Sequence, residues 1–96
     1  MATKAASAAE CERFEQIPNI GKAMAEDFRQ LGFVHPRELA GQDPLAHYQR
    51  MCRLSGQRQD PCVLDTYMAA VEFMQGGPAK AWWAFTAERK RRFPDL

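Results

Sequence analysis

Ninety-six residues leave room for one domain with one hydrophobic core, too small to wall off a deep substrate cavity easily. An apolar fraction of 46% excludes general disorder, and no apolar run approaches the ~20 residues that span a bilayer. The net charge of +1 says little, but its distribution is uneven: Glu10, Glu12 and Glu15 lie early, Arg50, Arg53 and Arg58 mid-chain, and Arg89, Lys90, Arg91 and Arg92 near the end.

Residues 1–9 are alanine-rich with one lysine and no leucine-rich stretch, so they read as a flexible tail and not as a secretory signal. Three cysteines without regular spacing do not form a secreted disulfide framework, which makes the cytoplasm the default compartment. Residues 10–93 then form a single domain. Helix signals recur along it, and no alternating run is long enough for a convincing strand.

The first helix is expected over 8–16 and the second over 22–31, with a short turn at Pro36-Arg37-Glu38-Leu39 after them. Asp43-Pro44 and Asp60-Pro61 each place an N-cap before proline at the first helical position, which starts helices over 44–54 and 61–75. In the latter, Leu64, Tyr67, Met68, Val71 and Met74 are flanked by Val63, Ala70 and Phe73, a stripe wide enough for the most buried helix. After the Gly76-Gly77 break, Pro78 opens a last helix over 79–91. The class is all-α, a compact bundle of about five helices.

The connection Ile17-Pro18-Asn19-Ile20-Gly21 carries the most specific chemistry. Pro18 pushes the residue before it out of helical angles and stops the first helix. Asn19 tolerates positive φ, and Gly21 lacks a Cβ that would keep a ligand from the backbone. Ile20 turns inward and pins the loop. The free N–H groups of Gly21, Lys22 and Ala23 then point out of a helix N-terminus, where backbone and dipole together suit a phosphate, and Lys22 adds a cation. Glu26 and Asp27, one turn on, lower the local potential unless they point away. The alternative is a tight helix–helix connection with no ligand.

The run Ile17-Pro18-Asn19-Ile20-Gly21-Lys22, followed by Ala25, Phe28, Leu31, Gly32 and Phe33, resembles the helix-hairpin-helix motif of DNA repair and recombination proteins, although Asn19 stands where glycine is usual. Over about residues 13–90, the stretches Leu31–Leu39, Asp43–Tyr48 and Asp60–Leu64, together with Trp82-Trp83, are similar to the pathogenicity-locus or mitomycin-resistance family of small bacterial helix-hairpin-helix proteins. The C-terminal domain of the TfoX competence regulator is a more distant likeness. The resemblance implies a SAM-like helical fold and contact with DNA through Asn19, Gly21, Lys22 and Ala23.

Arg50, Arg53, Arg58, Arg89 and Arg92 are candidate auxiliary phosphate contacts, or simply solvated helix ends meeting the helix dipole. Trp82 and Trp83 could stack on unpaired bases, yet adjacent helical residues do not share a face, so at least one belongs to the core. Cys62, near a helix N-terminus, and Cys52 are a conceivable redox pair or two small buried hydrophobes. His35 and His47 have no zinc-like spacing with them, so neither metal nor cofactor is expected. No catalytic constellation is visible either. The expected function is therefore non-enzymatic, sequence-independent DNA binding through the phosphate backbone. The alternative is a SAM-like module for protein interaction or self-association.

Overall fold

The computed structural model describes residues 3–96, and its regular structure is entirely helical. The four α-helices are α1 (Lys22–Gln30), α2 (Pro44–Ser55), α3 (Pro61–Met74) and α4 (Thr86–Arg92). Single 3-10 turns occupy Ala8–Glu10, Phe14–Gln16, Pro36–Leu39 and Trp82–Phe85. The expected caps are made: Asp43 Oδ1 accepts from Leu45 N at 3.0 Å, and Asp60 Oδ1 from Cys62 N at 2.9 Å.

The most buried helix is α3, as its wide stripe predicts, with every residue from Leu64 to Val71 buried. It packs on α2, on the Pro36–Leu39 turn and on the Trp82–Phe85 turn. Phe28 ties α1 to this center, its ring 5.3 Å from Tyr67 and 5.6 Å from Phe14.

Two expected helices are not continuous α-helices. In place of 8–16, the chain makes two 3-10 turns separated by extended Cys11 (φ −79, ψ 116). Side-chain spacing and a competing side chain give the reason. The buried residues Cys11, Phe14, Ile17 and Ile20 recur every third position, the period of a 3-10 turn. The Gln16 carboxamide also takes the amides of Glu12 and Arg13 at 2.8 and 2.9 Å, competing with helical hydrogen bonds.

In place of 79–91, residues 79–81 are not helical, Trp82–Phe85 is a 3-10 turn, and α4 starts only at Thr86. A buried carboxylate organises that start. Asp65, fully buried on α3, accepts from Thr86 Oγ1 at 2.7 Å and from Arg89 Nε at 2.9 Å.

The tail drawn over 1–9 does not follow the contacts. Residues 1 and 2 lie outside the described residues, but Ala5 N donates to Gln16 O at 2.9 Å and Lys4 is bonded to the loop ahead of α1.

Candidate functional site

The loop between Ile17 and Gly21 is closed by a hydrogen bond from Ile20 N to Ile17 O at 3.1 Å, with both isoleucines fully buried. Asn19 takes φ 73, the positive value its side chain tolerates. Its carboxamide does more than permit that angle. Nδ2 donates to Lys80 O at 2.7 Å, and Oδ1 accepts from Trp82 N at 3.2 Å. Asn19 is thus a clamp between the loop and the segment before α4, and its polar atoms are spent on that segment. Glycine would keep the backbone angle and lose both bonds.

Gly21 does not stand in a left-handed turn. Its φ is −91 and ψ −169, extended backbone open to any residue. A Cβ built on it meets nothing within 4 Å. Neither strain nor crowding inside the protein requires a glycine there. What its missing Cβ leaves is unobstructed access to the backbone from solvent.

The first α-helical bond of α1 runs from Ala25 N to Gly21 O, and no side chain caps this terminus. Lys22 and Ala23 are exposed, while Ala25 is the small residue that packs inside. The Ala23 side chain faces water. The acids one turn on diverge. Glu26 lies 3.9 Å from Arg29, whereas half-buried Asp27 turns toward Tyr67. Burial raises the Asp27 carboxyl above its ordinary range, against a smaller opposing effect from Tyr67. The Tyr67 hydroxyl is buried with no hydrogen-bond partner in ordinary geometry, and burial first, then the Asp27 charge, raise its pKa. The two groups lie close without a well-formed bond.

Beneath the loop lies a cation that sequence reasoning missed. Lys4 Nζ donates to Glu15 O, Ile17 O and Ile20 O at 2.9, 3.1 and 2.6 Å. These carbonyls would otherwise be partly unpaired at the loop. A lone lysine in an alanine-rich stretch carries no signal of this role.

Two of the auxiliary arginines are committed to other parts of the fold. Arg89 is only 8% exposed and held by Asp65, whose hydrogen bond raises the guanidinium pKa, so it is withdrawn as a phosphate contact. Arg50 donates from Nη1 to Leu31 O at 2.9 Å, closing the C-terminal end of α1. That end lies about 14 Å from Lys22 along the helix at ~1.5 Å per residue. Arg53 and Arg58 line an open groove of 510 Å³ with Tyr48, Cys52 and Leu96. Arg92 and Arg91 both approach Glu88, at 3.7 and 3.8 Å.

Nor is a thiolate favoured at Cys62. Burial, together with the carboxylates of Asp60 and Asp65, raises its pKa. All three cysteines are free, and Cys52 Sγ accepts from Gln59 N at 3.3 Å. His35 Nδ1 accepts from Arg37 N at 3.1 Å as the cap of the Pro36–Leu39 turn, and His47 packs edge-on against Phe33 with ring centroids 4.9 Å apart. Among the described residues no group of His, Cys, Asp and Glu is placed to hold a metal ion. No helix among them is long and apolar enough to cross a membrane.

The Cdd1 family, described as pathogenicity locus, matches residues 7–91, which include the loop, all of α1 to α3 and the buried Asp65–Arg89 pair. The chain belongs to this family. It is also similar to the mitomycin resistance protein McrB of Streptomyces lavendulae, 45% identical over 75 residues covering 78% of this chain and 71% of the relative. No solved structure matches the chain.

Proposed function

We propose that this Cdd1-family chain is a non-enzymatic, sequence-tolerant DNA-binding module that grips the sugar-phosphate backbone at the N-terminus of α1, as a helix-hairpin-helix unit does. One observation carries the reading. Gly21 is a glycine that the fold does not need, at the mouth of an uncapped helix whose first exposed side chain is Lys22. The N-termini of α2 and α3, by contrast, are closed by Asp43 and Asp60. Main-chain donors at Gly21, Lys22 and Ala23 position a phosphate and read no base.

With Arg89 buried and Arg50 at the far end of α1, few cations remain beside the loop. The reading therefore predicts a shallow salt dependence, a log–log slope of about −1 to −2, corresponding to one or two phosphates. The test is a salt titration of affinity for random-sequence DNA, with Lys22→Glu alongside. Unchanged affinity of Lys22→Glu at low salt removes the loop as the site.

The alternative, a SAM-like protein-interaction or self-association module, draws on the exposure of Val34, Leu54 and Trp83. Single exposed apolar residues are common on monomers, so this is the weaker support. Concentration-dependent sedimentation without any DNA shift would favour it. The relative's name, mitomycin resistance protein, supports an accessory role in drug resistance through either surface.

A further inference from the structure

Trp83 is 66% exposed, although a large indole ordinarily gains by burial. Its position is not loose. Its ring stands edge-on against Trp82, centroids 5.6 Å apart at 84°. The Trp82 main chain is held to the loop by Asn19, which reaches Lys80 O with one end of its carboxamide and Trp82 N with the other. The 3-10 turn Trp82–Phe85 is in turn seated on α3 and anchored by buried Phe85. Ordinary chain dimensions then keep the Cα atoms of Gly21 and Trp83 within roughly 20 Å, a span of a few nucleotides. A bare aromatic ring is thereby kept within reach of the loop.

We propose that Trp83 is a stacking platform for an unpaired nucleobase, and that the module's preferred substrate is single-stranded DNA, with Asn19 as the residue that positions the platform. The proposal rests on the loop being the backbone-gripping site. Stacking suits this substrate because every unpaired base presents a π-face whatever its sequence, whereas bases inside a duplex are already stacked on each other. The edge-on brace from Trp82 restricts the exposed ring before binding, so little rotamer freedom is left to lose. Lys80, beside the same clamp, is held by Glu72 at 3.4 Å and lies over the Phe85 ring, which keeps this segment in place.

The experiment measures affinity, by fluorescence anisotropy at low salt, for a labelled oligothymidylate and for a random-sequence duplex of equal length. The wild-type chain is compared with Trp83→Ala, Trp83→Phe, Asn19→Gly and Lys22→Glu, each checked for folding by circular dichroism. Trp83→Ala is expected to weaken oligothymidylate binding by about 5- to 100-fold, the range for loss of one stacked base, and to leave duplex binding unchanged. Trp83→Phe retains most of the single-strand affinity. Asn19→Gly, which keeps the backbone angle, lowers single-strand affinity by a larger factor than duplex affinity. Lys22→Glu weakens both.

If Trp83→Ala leaves oligothymidylate binding intact while Lys22→Glu weakens it, the stacking proposal is wrong and backbone gripping at the loop survives. An equal loss on both substrates from Trp83→Ala overturns stacking on unpaired bases. If Lys22→Glu changes neither, the loop reading fails and the inference goes with it.

Discussion

Two cationic regions of this chain, one lysine and one run of four cations, have opposite fates in the fold. At the start of α1, Lys22 follows an open glycine and stands exposed at an uncapped helix end. In α4, the run Arg89-Lys90-Arg91-Arg92 is denser, yet Arg89 is buried against Asp65 while Arg91 and Arg92 are drawn to Glu88. Charge density is therefore a poor guide to where a polyanion would be met. The denser cluster spends its first charge on structure, and the single lysine is left for solvent or a ligand.

The largest expected effect lies in the α4 region. Asp65→Ala strands the Arg89 guanidinium in the interior and should cost about 3–5 kcal/mol, a large share of a small domain's stability. Urea denaturation measures it, and a loss under 1 kcal/mol would mean that the pair is not the anchor of α4.

On the loop side, Asn19→Ala removes two hydrogen bonds and places a Cβ-bearing residue without a compensating side chain at φ 73. The expected loss is about 2–3 kcal/mol by the same measurement. A near-zero change would break the clamp between the loop and the segment before α4.

A smaller effect concerns pH. The Asp27 carboxyl is raised in the folded chain, so the fold favours its protonated form. The associated stability is fully present below the unfolded value near ~3.9 and is lost as pH rises through the raised folded value. Asp27→Asn should therefore melt higher than wild type at neutral pH, with the difference closing in acid. Thermal melts at the two extremes test the sign.

Glu88→Ala should change stability by less than about 0.5 kcal/mol, because exposed helix pairs contribute little. Lys22→Glu should sharpen the comparison most simply: thermal melting close to wild type, with DNA affinity alone affected. A substantial drop in melting temperature would instead give Lys22 a structural role and blur the distinction between the two regions.

Much of this was legible in the sequence where short-range chemistry decides. Asp43-Pro44 and Asp60-Pro61 fix where α2 and α3 begin, and the wide apolar stripe marks α3 as the center. Asn19 is a residue type that tolerates the positive φ it adopts. Other features were legible only in part. The third-residue recurrence of Cys11, Phe14, Ile17 and Ile20 is visible in the sequence, but it reads equally as one side of an α-helix until the Gln16 side chain is seen to take the competing amides. Asp65 sits unremarked inside a hydrophobic helix, and only its partner explains it.

By itself, then, the sequence determined the helical class, the starts and buried face of the central helices, and the loop at Ile17–Gly21, because caps, prolines and apolar period act within a few residues of one another. Only the tertiary structure decided which charges are free and which are spent. Lys4 reaches carbonyls 11 to 16 positions away, Asn19 reaches 61 and 63 positions ahead, and Asp65 meets Arg89 across 24. Such partners are chosen by packing of the whole chain, and no local pattern encodes them.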